Sequence, residues 1–207
     1  MEPSQIIQIA LVGAFAYLLG AVPWGLILTR KFSSVDIQRT GSGNIGATNV
    51  LRTAGIPLGL LTLAGDVLKG ALPVLIAERI LVPSFPWRDL FLGLVILGAF
   101  LGHLYPVYLK FRGGGKGVAT AFGCILAVSP AGLMIILAVF ILVVLWCRRV
   151  SLASLAAFGL LPPVLWFLTA SPVLGCTALV MTGLIYRRHI ENIRRLLAGT
   201  EPALWGE

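Results

Sequence analysis

Long apolar runs separated by short polar segments constrain the fold of this chain more than any single residue does. A helix needs about 20 apolar residues to cross the roughly 30 Å hydrocarbon core of a bilayer. Inside that core a helix also satisfies all of its own backbone hydrogen bonds. Seven candidate runs cover residues 5–28, 58–82, 90–109, 116–128, 131–147, 152–169 and 173–186. The sequence therefore predicts an all-α polytopic membrane protein with about seven transmembrane helices.

The overall composition supports a membrane protein and argues against a soluble domain. Of the 207 residues, 58% are hydrophobic and 12% are charged, whereas soluble domains average about 45–50% apolar and about 25% charged residues. We expect a single integral membrane domain over residues 1–207. The first ten residues contain no basic residue, so we expect no cleavable signal peptide.

The positions of the basic residues predict the orientation of the chain in the membrane. The net charge is +8, and 13 of the 16 Lys and Arg residues lie in segments 30–52, 110–116, 148–149 and 187–195. Seven spans with the N-terminus outside place all four segments and the C-terminus in the cytoplasm, as the positive-inside rule requires. Six spans, without the short run at 116–128, would place the last two basic segments on the opposite side. The positive charge thus indicates orientation, and we expect no nucleic-acid partner.

The first polar segment, residues 39–52, combines glycines with small polar side chains and an arginine. Glycines let several backbone N–H groups turn toward one anion, and a guanidinium binds phosphate with two hydrogen bonds. A glycine-rich loop without a ligand is the alternative, but such a loop seldom needs so many polar side chains. The expected phosphate contacts are Gly41, Gly43, Asn44, Gly46, Thr48 and Asn49, with Ser42 and Arg52 beside them.

The second segment, residues 102–120, contains three consecutive glycines before a short apolar run. Exposed N–H groups at a helix N-terminus, flanked by cations, attract phosphate. A flexible hinge would explain the charges but not the glycines. The loop is not a Walker A motif, because a glycine stands where the magnesium-binding Ser or Thr is required. The expected phosphate-site residues are Arg112, Gly113, Gly114, Gly115, Lys116 and Gly117.

The third segment, residues 187–201, places a histidine and an asparagine three positions apart. If the last span continues as one helix, His189 and Asn192 lie on the same face. A basic tail attracted to anionic headgroups is the alternative. The pairing of an imidazole with an amide favours a functional site.

Ionisable residues within the apolar runs are candidates for function because charge is costly there. Asp66 and Lys69, three positions apart, are expected to form a structural ion pair, with substrate orientation as the alternative. For His103, packing at the end of a span and catalysis are equally compatible with the sequence. We find neither a catalytic triad order nor a zinc-binding pattern, so we expect no metal and no cofactor.

Together, the three segments resemble the signature motifs of the bacterial acyl-phosphate:glycerol-3-phosphate acyltransferases, the PlsY family. They read GSGNIGATNVLR, GHLYPVYLKFRGGGKGVAT and RHIENIRRLLAGTE, in the family's order and across essentially the whole chain. One difference is visible in the second motif, where three glycines at 113–115 stand in place of the usual two.

The resemblance implies an enzyme of the bacterial cytoplasmic (inner) membrane whose active site faces the cytoplasm. Such an enzyme transfers a fatty acyl group from long-chain acyl phosphate to the 1-hydroxyl of glycerol 3-phosphate. The products are lysophosphatidic acid and phosphate, in the first step of phospholipid synthesis. It would be functionally linked to an enzyme that produces acyl phosphate. The resemblance assigns catalysis to Ser42, Arg52, Lys116, His189 and Asn192, glycerol phosphate binding to glycines within 113–117, and a structural role to Glu201.

A transporter for a phosphorylated metabolite is the main alternative function. Glycine-interrupted spans and anion sites suit a transporter, but the three motifs all map to one face and no inverted repeat is evident. A non-catalytic membrane adaptor would leave two phosphate-binding segments unexplained.

Overall fold

A computed structural model describes residues 3–81 and 87–204, and every regular element in them is helical. The all-α class predicted from the sequence is confirmed. A π-helical turn, Ala77–Leu81, follows α4, and a 3₁₀ turn, Val107–Leu109, follows α5. The α-helices are α1 (Pro3–Gly20), α2 (Trp24–Phe32), α3 (Ala47–Ala54), α4 (Ile56–Ile76), α5 (Arg88–Leu104), α6 (Val118–Val128), α7 (Pro130–Cys147), α8 (Val150–Thr169), α9 (Pro172–Arg188) and α10 (Ile190–Leu197).

Five helical segments within the described residues are long and apolar enough to cross a membrane. They are Ile6–Phe32, Ile56–Arg79, Arg88–Leu109, Pro130–Cys147 and Val150–Thr169. The helices at the other two predicted spans are shorter, with 11 residues in α6 and 17 in α9. The count of seven and the orientation of the termini therefore stay predictions. Val82, the last residue of the predicted second span, lies outside the described residues.

The first apolar run is two helices, not the single continuous helix that we expected over residues 5–28. α1 ends at Gly20 and α2 begins at Trp24, because Pro23 lacks an N–H group and disfavours helical geometry in the residue before it. The Lys69 ammonium of α4 donates a hydrogen bond of 2.8 Å to the Val22 carbonyl at this break. A carbonyl released from a helix in apolar surroundings needs such a partner.

Contacts divide the chain into two compact units, Met1–Val128 and Ser129–Glu207. In the first unit, α4 packs against α6 and α3, and α1 packs against α5. The Tyr17 hydroxyl of α1 donates to the Tyr105 carbonyl at the end of α5, at 2.7 Å. In the second unit, α8 packs against both α7 and α9, and α10 contacts α8 and α9. The single integral membrane domain expected from the sequence stays a prediction.

Candidate active site

The loop of the first motif is organised around the buried side chain of Asn49, in the first turn of α3. The Asn49 amide nitrogen donates to the carbonyl oxygens of Ile37, Thr40 and Asn44 at 3.1, 3.2 and 2.8 Å. Its Oδ1 accepts the N–H of Ser42 at 2.9 Å. A buried amide must be satisfied in this way. These contacts favour a supporting role for Asn49, and its expected contact with phosphate stays a prediction.

Other polar groups of the first motif differ in how far the loop itself uses them. The N–H of Gly46 donates to Asn44 Oδ1 at 2.8 Å, so that amide is already engaged within the loop. The side chains of Ser42 and Arg52 are exposed, and Thr48 is half-buried. Gly41, Ser42 and Arg52 are therefore the expected ligand contacts of this motif that are exposed to solvent.

The first and second motifs are neighbours in the first unit. Beneath the first loop lies a buried cluster of Leu26, Ile37, Ile45 and Val50. Leu109 of the second motif packs against this cluster. Gln38, just before the first motif, lies beside the glycines of the second motif. A Cβ built at Gly113 would be 3.2 Å from Gln38 Nε2. The structure thus brings together the two segments that the sequence predicts to bind phosphate.

Two glycines of the second motif pack directly on the C-terminal end of α5. A Cβ at Gly114 would lie 2.0 Å from the Leu104 carbonyl oxygen, and one at Gly115 would lie 2.0 Å from His103 Nε2. The N–H of Gly115 also donates to the His103 carbonyl at 3.2 Å. Interiors are too closely packed to admit a methyl group at either distance. Close packing therefore requires glycine at these two positions. From the sequence we expected glycine there for a different reason, namely to leave backbone N–H groups accessible to phosphate.

Asp66 and Lys69 form a buried ion pair under the second motif. Lys69 Nζ lies 2.8 Å from Asp66 Oδ1, and the two side chains are 1% and 3% exposed. His103 Nδ1 lies 3.7 Å from the same carboxylate oxygen. From the sequence, His103 was considered by itself, and this association was not predicted. An ionised group is costly in an apolar helix, so Asp66 could have been expected to have polar neighbours besides Lys69.

His189 separates two helices in the second unit, so the last span does not continue as one helix through the third motif. α9 ends at Arg188, α10 begins at Ile190, and the backbone of His189 has a φ of −101° and a ψ of 9°. The buried His189 ring places Nδ1 2.8 Å from the Ile185 carbonyl oxygen. A carbonyl can only accept, so Nδ1 carries a proton, and Nε2 of the neutral ring is an acceptor. That tautomer has the protonation state required of a general base.

The carboxylate of Glu201 is the centre of the third motif. Its Oε1 accepts from Ser151 Oγ and Asn192 Nδ2, both at 2.7 Å, and its Oε2 accepts from Arg195 Nε at 2.7 Å. Burial alone would raise the pKa of Glu201, but these donors and the Arg195 charge outweigh burial and lower the pKa below its ordinary value. An ionised Glu201 therefore holds α8 and α10 to the chain that follows α10.

The main chain around Glu201 is also attached to the start of α8. Arg149 Nε donates to the Glu201 carbonyl at 3.0 Å, and the Leu204 N–H donates to the Arg148 carbonyl at 2.7 Å. Sequence reasoning identified Glu201 and Asn192 but not Arg149 or Ser151, which lie about 50 positions earlier. Hydrogen bonds thus join the third motif to the start of α8 within the second unit.

Residues 10–199 match a family model that is described as glycerol-3-phosphate acyltransferase. The chain belongs to this acyltransferase family. A glycerol-3-phosphate acyltransferase of Syntrophotalea carbinolica is 50% identical over 186 residues, which cover 90% of this chain and 92% of the relative. One from Geobacter sulfurreducens is 47% identical over 188 residues, covering 91% of this chain and 93% of the relative.

Two crystal structures of PlsY, an integral membrane glycerol 3-phosphate acyltransferase, resemble this fold closely. The glycerol 3-phosphate form has a TM-score of 0.89 and 41% identity over 96% of both chains. The lysophosphatidic acid form has a TM-score of 0.85 and 41% identity over 95% of both chains. Membership of the PlsY family, predicted from three motifs, is confirmed. This chain is an integral membrane acyltransferase.

Proposed function

We propose that this acyltransferase moves a fatty acyl group from long-chain acyl phosphate to the 1-hydroxyl of glycerol 3-phosphate. The hydroxyl oxygen attacks the acyl carbonyl carbon, the bond from that carbon to the phosphate oxygen breaks, and lysophosphatidic acid and phosphate result. The observation that carries the proposal is the contact between two loops suited to phosphate, in the first and second motifs. The related PlsY has been crystallised in a glycerol 3-phosphate form and in a lysophosphatidic acid form, which supports this acceptor and this product.

The chemistry of the donor defines what the protein must supply. An acyl phosphate is already an activated mixed anhydride, so the enzyme chiefly holds two mutually repelling anions in reactive geometry. In our proposal Arg52 and Lys116 supply positive charge, and backbone N–H groups of the glycine loops bind phosphate oxygens. Ser42 contributes a hydrogen bond and forms no acyl-enzyme.

The hydroxyl proton of glycerol 3-phosphate leaves as the new ester bond forms. We assign its removal to Nε2 of His189, supported by the tautomer that the Ile185 carbonyl imposes. Asn192, one turn further along, is anchored by Glu201 and is assigned to orient the reacting groups. The alternative base is the departing phosphate.

Substitution of His189 by glutamine tests the assignment of the base. Glutamine keeps hydrogen-bonding capacity but cannot take up a proton, so we expect kcat to fall about 100-fold and the KM for glycerol 3-phosphate to change much less. Steady-state kinetics over a range of pH will measure this. A near-normal kcat with an unchanged pH profile would transfer the role of base to the departing phosphate.

The identity of the donor can be tested with purified protein in detergent. We expect lysophosphatidic acid to form from glycerol 3-phosphate and acyl phosphate without metal, nucleotide or coenzyme A. Acyl-CoA and acyl carrier protein carrying the same acyl chain serve as matched donors. Turnover with acyl-CoA and none with acyl phosphate would overturn the proposal, and inhibition by a chelator would reveal a metal site. Product formation without a sealed compartment also distinguishes an enzyme from a transporter.

We place the enzyme in the bacterial inner membrane, with all three motifs on the cytoplasmic side. The asymmetric distribution of basic residues supports this orientation. The acyl phosphate donor must be supplied by another enzyme of the same cell.

A labelling experiment tests the orientation. The three native cysteines are first replaced by alanine, and single cysteines are then introduced at Ser4, Ser84 or Gly206. An impermeant thiol reagent should label the first two from outside and the third only after permeabilisation. Labelling of positions 4 and 206 from the same side would indicate an even number of spans. Ser84 and Gly206 lie outside the described residues.

A further inference from the structure

We propose that His103 is a positioning residue for glycerol 3-phosphate. Its imidazole ring, oriented by the buried pair of Asp66 and Lys69, determines where the glycine loop of the second motif lies. We call residues 113–117 the second loop. The inference rests on the proposed function, because it takes that loop to bind the phosphate of glycerol 3-phosphate.

The buried ion pair of Asp66 and Lys69 orients the His103 ring. The side chain is 3% exposed, and its Nδ1 faces the Asp66 carboxylate at 3.7 Å. Lys69 holds that carboxylate in place at 2.8 Å, and Lys69 itself is held by the Val22 carbonyl. Charge in a buried, apolar environment is weakly screened, so the carboxylate strongly favours the ring orientation that turns Nδ1 toward it. Nε2, on the opposite side of the ring, then faces Gly115.

The oriented ring packs against the second loop at Gly115. The three atoms nearest to a Cβ at Gly115 are all in the His103 ring: Nε2 at 2.0 Å, Cε1 at 2.6 Å and Cδ2 at 3.0 Å. The Gly115 N–H is also bound by the His103 carbonyl at 3.2 Å. Both the main chain and the side chain of one α5 residue thus support Gly115.

Gly115 is followed directly by the groups that we propose to bind the phosphate of glycerol 3-phosphate. Lys116, proposed to contact phosphate, is the next residue, and α6 begins at Val118 immediately after the loop. A shift of Gly115 therefore moves the Lys116 ammonium and the first N–H groups of α6 together. Errors of about 1 Å in the placement of binding groups are sufficient to impair an enzyme about 100-fold.

The experiment measures binding of labelled glycerol 3-phosphate by equilibrium dialysis, together with turnover, on the full chain in detergent. His103→Ala should raise the Kd and KM for glycerol 3-phosphate about 10-fold, with kcat within about 3-fold of wild type. The KM for the acyl donor should change little, although loss of a buried ring lowers the thermal midpoint. A comparable rise in both KM values would reduce His103 to a folding residue and overturn the proposal.

Double variants test the contact itself. Gly115→Ala places a methyl group against the His103 ring, and His103→Ala removes that ring. The Kd of the double variant for glycerol 3-phosphate should therefore not exceed the higher of the two single-variant values. Gly114→Ala is the matched control, because its methyl group meets main-chain atoms of Leu104 and His103, which His103→Ala leaves in place. Its effect should multiply with that of His103→Ala, since effects of uncoupled sites add in free energy.

The outcomes separate this inference from the proposed function. Binding needs no acyl donor, so a wrong donor assignment would change turnover and leave the binding series intact. Normal glycerol 3-phosphate binding by His103→Ala, or multiplied effects in the variant that combines it with Gly115→Ala, would overturn the inference alone. Failure of the wild-type protein to bind glycerol 3-phosphate would overturn the proposed function and the inference with it.

Discussion

Replacement of Lys69 by methionine should lower the free energy of unfolding by about 3–5 kcal/mol, because it leaves a buried carboxylate without its counter-ion. The Asp66 side chain is 3% exposed and lies 2.8 Å from the Lys69 ammonium. The same substitution removes the donor to the Val22 carbonyl at the break between α1 and α2. Reversible unfolding in mixed micelles, followed by circular dichroism, will measure the change.

A second ion pair in the chain provides a matched control for Lys69. Arg194 and Glu191 have the same spacing of three positions, but their side chains are 69% and 64% exposed. Arg194→Met should therefore cost less than about 0.5 kcal/mol. The double variant Asp66→Asn with Lys69→Met should recover much of the lost stability, because no unpaired charge remains. Equal stability of Lys69→Met and Arg194→Met would show that Asp66 is not ionised in the folded protein.

Replacement of Glu201 by alanine should cost about 3–5 kcal/mol and remove most acyltransferase activity, because three donors lose a buried charged acceptor. Those donors come from Ser151, Asn192 and Arg195. Loss of the carboxylate releases Asn192 from its anchored position and detaches the chain after α10 from α8. Thermal unfolding and steady-state kinetics on the same preparation will measure both effects.

Two further variants separate the charge of Glu201 from its shape. Glu201→Gln keeps the shape and should lose less stability than Glu201→Ala, whereas Glu191→Ala, at an exposed site, should have little effect. Because folding lowers the pKa of Glu201, its stabilisation is complete above the ordinary glutamate pKa and is lost as the pH falls through the lowered value. Glu201→Gln should lack this loss in acid. Normal stability and activity of Glu201→Ala would contradict the central role of the carboxylate.

The helical membrane class and the family could both be predicted from local sequence patterns. Apolar runs about as long as a bilayer is thick can be read from neighbouring residues alone, since each helix satisfies its backbone internally. The three motifs are likewise continuous segments, and the residue types of the first two indicate binding of phosphate. The pairing of Asp66 with Lys69 could be predicted for the same reason, because one helical turn brings both residues to one face.

The distant residues that support these motifs could not be predicted from the sequence, because they depend on how the helices pack. Lys69 satisfies the carbonyl that Pro23 frees, His103 joins the carboxylate of Asp66 and supports Gly115, and Glu201 gathers donors from α8 and α10. None of these partners is adjacent in sequence, and no local spacing encodes them. They follow from the need of each buried polar group to find a partner, and which partner is in reach depends on how the helices pack.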